Sequence, residues 1–246
     1  MAKIITKPSE LTNEFLMLIK RVKRSVLCAV IFVITSVIGS VVMNNGRLFS
    51  AGLIILGISA LGFITSLFTA IFRYNDATVI RTGIDGEKNT ARIVSSLPDN
   101  YFGIQNAVIK FDGKLSELDM VVIGPTGIFI VETKNRKGFI TGKYDSQKWT
   151  QTKTGRTGNE YSNDFYSPIK QISTHIFRLA HFLKQNGVKH HIEGIVYFSG
   201  ADKVDISGRE GEIAIITTEK ALKKHIVSKD TILDDDKISQ ILNILA

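Results

Sequence analysis

The sequence predicts a mixed α/β domain preceded by a two-helix transmembrane hairpin, and three observations carry that reading. Two long stretches near the N-terminus hold no charge at all. Further along, Met120–Ile123 and Ile128–Val131 are continuous apolar runs on either side of Pro125-Thr126-Gly127. Their β-branched and aromatic residues, and a turn with a pre-set φ followed by glycine, make them two adjacent buried strands of one hairpin. Amphipathic helical patterns then alternate with short apolar runs over the remaining chain, the signature of helices packed on a sheet.

The uncharged stretches come first. Ser25–Asn45 lacks charge, with Val26–Met43 as its aliphatic core, and Leu48–Phe72 follows after Asn44-Asn45-Gly46-Arg47. At the helical rise of about 1.5 Å per residue these cores reach roughly 27 and 37 Å, enough for a hydrocarbon layer of about 30 Å. A cleaved leader would need an A-x-A-like site, which is lacking, and a buried core hairpin rarely needs two such stretches in series. Lys20, Arg21, Lys23 and Arg24 precede the first span and Arg73 and Arg81 follow the second, while Arg47 stands alone in the turn. The positive-inside asymmetry places both termini in the cytosol of a multi-pass protein of the cell membrane, with the lipid bilayer as a partner. The expected segments are a cytosolic basic stretch 1–25, the hairpin 26–72 and a cytosolic domain 73–246. Gly62/Ser66/Ala70, Thr35/Gly39 and Ser36/Ser40 form small-residue ridges that let the helices pack together, or pack on a second copy as a homo-oligomer.

Of the net charge of +8, residues 1–72 carry +5 and the larger remainder only +3, so most of the excess is a membrane-surface signal. Cys28, the single cysteine, lies within the first span, which excludes a disulfide framework and a thiolate zinc site.

In the domain, Gly83–Leu97 is expected to be a helix ended by Pro98, with Glu87 at the head of its apolar stripe. Phe102–Phe111 reads as a strand before the central hairpin, and Gly138–Tyr144 as a short strand after it. Ser146–Asn163 is polar, Gly/Thr-rich and aperiodic, and is expected to be a loop. Between Arg136 and Arg156, six basic residues (Arg136, Lys137, Lys143, Lys148, Lys153 and Arg156) and one acid, Asp145, accompany the single Trp149. Such a segment could hold a phosphate backbone while the indole stacks on a base, and it reads equally as a solvated loop anchored by its tryptophan. Ser167-Pro168 is a helix start, Ser as N-cap and Pro at the first position. That helix places Gln171, His175 and Arg178 in one polar line beside its core stripe. Ile192–Phe198 and Ile213–Thr217 read as strands, Thr218–Ile226 and Asp234–Leu245 as helices.

Charge at the central hairpin points to chemistry. Asp119 begins the first strand, and Glu132 and Lys134 end the second on one face, with Thr133 on the other. A Glu-x-Lys pair alone is ordinary on a solvated strand end. At the end of a buried strand with Asp119 nearby, the same charges need pairing or a metal. His190-His191 and the His175/His181 pair lack ligand spacing, and no Gly-Lys-Ser/Thr phosphate loop is present.

The order helix (Glu87), strand, strand (Asp119), strand (Glu132-Thr133-Lys134), helix (Gln171), strand resembles the PD-(D/E)xK nuclease core, and more narrowly the nuclease-related domain (NERD). The matching residues are Gly83-Ile84-Asp85-Gly86-Glu87, Glu117-Leu118-Asp119, Gly127 to Lys134, Gly138 with Trp149, and Ser167-Pro168 with Gln171. They span about residues 80–200, and Leu118 stands where the family carries proline. The resemblance implies a restriction-endonuclease-like mixed sheet flanked by helices (an α-β-β-β-α-β core) and a membrane-anchored endo- or exonuclease that hydrolyses phosphodiester bonds, in DNA. Glu87, Asp119, Glu132, Lys134 and Gln171 would be catalytic. Asp119, Glu132 and the Thr133 carbonyl would hold Mg²⁺ or Mn²⁺, hard ions that favour oxygen, with Glu117 in reserve. The alternative is a catalytically inactive nucleic-acid-binding or membrane scaffold module on the same fold.

Overall fold

The computed structural model of the chain describes residues 1–155, 157–208 and 211–245. The chain divides into two compact units, Ser9–Thr82 and Met1–Pro8 with Gly83–Ala246.

The first unit is a helical hairpin. Helix α1 spans Glu10–Met43, and its cap Ser9 accepts a hydrogen bond from the Thr12 N–H. Helix α2 starts at Phe49 and runs to Ser95. The small residues are used inside the hairpin. A Cβ on Gly52 would lie 2.5 Å from the Met43 nitrogen, and one on Gly62 would strike the Phe32 ring. Thr35 and Ser59 join hydroxyls across the pair at 2.8 Å. Both helices are long and apolar enough to cross a membrane, and only 11% of each apolar window is buried. Ile31, Val37, Leu61 and Phe68 remain exposed on the outer faces. In a soluble core hairpin such apolar faces would be covered.

One expectation changes here. The helix predicted over Gly83–Leu97 is not separate, because α2 continues to Ser95 without a break. Residues 73–82 include no proline, and an isolated glycine costs a helix only about 1 kcal/mol.

The second unit is built on a six-stranded sheet ordered β1-β2-β3-β4-β8-β10. Its strands are β1 (Lys3–Thr6), β2 (Phe102–Phe111), β3 (Lys114–Gly124), β4 (Gly127–Lys134), β8 (Ile192–Phe198) and β10 (Ala214–Ile216). The central hairpin forms as expected, from Met120↔Val131 to Gly124↔Gly127. Its continuous hydrophobicity is explained by burial on both faces. Ile128 and Ile130 join a core under helices α3 (Pro168–Gln185) and α5 (Asp235–Leu245). Phe129 and Val131 join another with Ile93, Val94 and Leu97 and with Leu222 of α4 (Glu219–Val227).

The sequence reading missed β1. It lies within the stretch expected to be a cytosolic basic segment, 1–25, and pairs in parallel with β2, Lys3↔Phe102 to Thr6↔Gln105. Four residues are too few to show a period. The expected loop Ser146–Asn163 is also corrected. β6 (Lys148–Thr154) and β7 (Glu160–Tyr166) form a hairpin in a second sheet, ordered β7-β6-β5-β9, with β5 (Phe139–Lys143) and β9 (Lys203–Ser207). Only Trp149 and Gln151 of β6 are fully buried, so most of its residues stay polar and the alternation is faint in composition.

Candidate active site

The site sits where the β3–β4 pairing stops. That ladder ends at Met120↔Val131, while β4 continues alongside β8 to Lys134↔Phe198. Past Val131, β4 is therefore paired on one side only, and Asp119 and Glu132 occupy the fork. The Thr133 N–H, released from β3, donates to Asp119 Oδ2 at 2.8 Å. Across β3, the ladder with β2 skips the pair Asn106 and Asp119, and Asn106 has φ 55°. A left-handed non-glycine residue is uncommon, though asparagine tolerates it. Its Nδ2 donates to the Lys7 carbonyl next to β1.

Alternation along β4 sorts the next side chains. Glu132 and Lys134 face α3, and Thr133 faces α2, where its hydroxyl meets that of Thr90 at 2.9 Å. Lys134 Nζ donates to Glu132 Oε1 at 2.6 Å and to Gln171 Oε1 at 3.0 Å. Glu132 is 1% exposed, and its Oε2 has no hydrogen-bond partner. The His175 imidazole lies close to it, with Nε2 3.6 Å from Oε2. Gly86 lets α2 approach, since a Cβ there would lie 2.7 Å from the Asn135 Cβ. The next residue, Glu87, is buried.

These carboxylates do not share the space comfortably. Burial, then repulsion from Asp119, Glu117 and Glu132, pushes the Glu87 carboxyl up to about 8. Burial and the charge of Glu132 push Asp119 up to about 7 against the opposing pull of Lys134 and the Thr133 N–H. Burial lowers the His175 pKa. An unpartnered buried carboxylate oxygen and mutually repelling acids form a setting that a cation would relieve. Among the described residues, however, no three Asp, Glu, His or Cys side chains converge closely enough to hold a metal by themselves.

All five residues expected to be catalytic thus belong to one region. His175 was missed as a member of it, although it is one helical turn beyond Gln171 on the same polar line.

The basic set expected for nucleic acid is dispersed. Trp149 is fully buried, its Nε1 donates to the Lys143 carbonyl at 2.9 Å, and it stacks on Phe198. It anchors the second sheet and is not available to a base. Arg136 is half-buried, donates to Gln151 Oε1 at 2.9 Å and lies 4.1 Å over the Phe165 ring. Lys137, Lys143 and Lys148 are exposed, whereas Lys153 is half-buried. Lys148 alternates with Trp149 along β6, and Lys153 shares the Trp149 parity, so the cations do not line one surface. Arg156 lies outside the described residues.

Fold and site together define a class: a mixed α/β domain with two acids and a lysine at the forked end of its central hairpin, covered by one helix on each side. Residues 82–199 match the sequence model of NERD, the nuclease-related domain, so the chain carries a nuclease-related domain. Every expected catalytic residue falls inside that stretch. An uncharacterized protein of Bacillus anthracis is 36% identical over 92 residues, which is 37% of this chain and 43% of that protein. The chain thus spans less than half the length of this relative. No solved structure matches the chain.

Proposed function

We propose that the domain is a membrane-tethered, divalent-metal-dependent phosphodiesterase acting on nucleic acid, DNA first. The observation that carries this reading is the run of contacts Asp119–Thr133, Glu132–Lys134 and Lys134–Gln171 at the hairpin fork. Asp119, Glu132 and the Thr133 carbonyl would hold Mg²⁺ or Mn²⁺. When bound, such an ion acidifies a water and neutralises charge on the attacked phosphate. The protein's own part is positioning. Gln171 holds the Lys134 ammonium from α3, and Lys134 stabilises charge that grows on the phosphate or orients the attacking water. Glu87, with its raised pKa, holds or exchanges a proton at the edge of the site.

Tethering follows from the two apolar helices, and the basic residues on both flanks favour a cytosolic domain. β1 supports that topology, because Met1–Pro8 folds into the same unit as residues 83–246. Both ends of the hairpin then lie on one side of the bilayer. Association of copies through the hairpin finds no support in the ridges of Gly39 and Gly62, which are filled within one chain.

A second reading, a nucleic-acid-binding module without turnover, is favoured by the lack of three converging metal-binding side chains among the described residues. The deciding experiment is a cleavage assay of the full chain in detergent on single- and double-stranded DNA and RNA, with Mg²⁺, Mn²⁺ or EDTA. Metal-dependent cleavage abolished by Asp119→Asn supports the enzyme. Binding with no cleavage in any metal supports the module.

A further inference from the structure

Helix α3 contains no acidic residue; its ionisable side chains are Lys170, His175, Arg178, His181 and Lys184. Its buried stripe, Ile169, Ile172, Leu179 and Leu183, satisfies the core. Phe177 points away from that stripe and is 54% exposed. It is not isolated. Its ring lies 4.1 Å from His181 and meets Phe111 of β2 edge-on at 6.0 Å. Phe111 and His181 close the triangle at 5.1 Å. His181 is held in place by donating Nδ1–H to the Phe177 carbonyl at 2.8 Å. Beside the rings, Arg178 bonds Ser116 of β3, and Lys114 lies directly across the ladder from Phe111.

A lone exposed phenylalanine is ordinary. Three rings from two elements, flanked by cations on a helix without acids, form a surface suited to a polyanion with aromatic faces. The same helix supplies Gln171 and His175 to the site. Phe177 is six residues beyond Gln171, roughly 9 Å along the axis and about a third of a turn around it, so a chain whose phosphate sits at Lys134 would reach the ring by passing round the helix.

We propose that Phe177, with Phe111 and His181 behind it, is a base-stacking platform that receives the unpaired bases of a single-stranded polynucleotide beside the candidate active site. This rests on the phosphodiesterase reading. The acid-free helix attracts the backbone, and the exposed ring stacks on a base face irrespective of sequence. A continuous duplex hides its base faces, so the platform discriminates for single strands, frayed ends or flaps.

The test uses the full chain in detergent with Ca²⁺ in place of Mg²⁺. The probes are a fluorescein-labelled oligodeoxythymidylate of about 16 nucleotides, near the upper site size of single-strand binders, and a duplex of equal length. Phe177→Ala should weaken single-strand binding by at least about fivefold, the lower end for loss of one stacked base, and change duplex binding by less than about twofold. Phe177→Trp should retain single-strand binding. A 2-aminopurine placed in the single strand should be quenched by the wild type and not by Phe177→Ala. Unchanged melting of Phe177→Ala would confirm that the exposed ring was removed without unfolding. The proposal is overturned if Phe177→Ala binds the single strand like the wild type, or if it loses strand and duplex equally. Were the wild type to bind neither probe, the phosphodiesterase reading would fall first. Cleavage with an unaffected Phe177→Ala would sink the platform alone.

Discussion

Lys134 Nζ lies 2.6 Å from Glu132 Oε1, two residues back on the same strand, and 3.0 Å from Gln171 on the covering helix. The ammonium neutralises a carboxylate that is 1% exposed, and it is itself held at a fixed place facing the hairpin fork. If that place is where phosphate charge grows, its loss acts on the transition state far more than on binding. Lys134→Ala should cut cleavage by about 10²-fold or more, the scale for one preorganised donor. Affinity for an oligonucleotide in Ca²⁺ should change by less than about threefold. Rates at saturating substrate and anisotropy titrations separate the two.

The crowded acids predict an unusual pH profile. Glu87 rises from 4.5 to about 8 and Asp119 from 3.8 to about 7, so the metal-free folded state binds more protons than the unfolded chain between those values. Stability from these groups is therefore full below the unfolded pKa values and lost as pH rises through the folded ones. In EDTA the melting temperature should fall from pH 5 to pH 8. Glu87→Gln should flatten that decline, and a decline unchanged in this variant would place the cause elsewhere.

Metal should act in the opposite direction. Mg²⁺ or Mn²⁺ bound by Asp119 and Glu132 stabilises the folded state by mass action. The effect should be larger at pH 8 than at pH 5, because the ligands must be ionised. Asp119→Asn/Glu132→Gln should melt at or above the wild type in EDTA and show no response to added metal. Differential scanning fluorimetry with a metal titration reads both quantities.

Trp149 and the exposed lysines should separate stability from binding. Trp149→Ala removes a fully buried indole stacked on Phe198 and should cost about 3–5 kcal/mol, the usual range for emptying such a site. Trp149→Phe should be milder. Lys143→Ala/Lys148→Ala should leave melting unchanged, and any effect on binding should appear as a reduced salt dependence. A Trp149→Ala protein of wild-type stability would contradict the indole's burial.

Reporter fusions at residues 1 and 246 should both signal the cytosol. The basic flanks of the hairpin favour that outcome, and β1 requires at least that both ends share one side. Opposite signals from the two ends would contradict the pairing of β1 with β2.

The sequence by itself determined whatever depends on local pattern. Uncharged length marked the two apolar helices. Two apolar runs around Pro125-Thr126-Gly127 marked the central hairpin, and strand alternation put Glu132 and Lys134 on one face and Thr133 on the other. Glu132 and Lys134 were legible because charge ending a buried strand violates the pattern around it. Asp119 was legible because it borders the apolar run, although it lies within β3, which starts at Lys114, and does not begin it. Only the tertiary structure decided what depends on distant partners. β1 is recognised by its pairing with β2, about a hundred residues away, and not by its four residues. Trp149 looked the same as a base-stacking indole or a core anchor until Phe198 and the Lys143 carbonyl were placed against it. The β6–β7 hairpin buries too few side chains to show a period. His175 joined the site because α3 packs beside β4, which brings its imidazole to the unpartnered oxygen of Glu132. Local spacing fixes which way a side chain points along its own element, whereas the group it meets is set by packing between elements far apart in the chain.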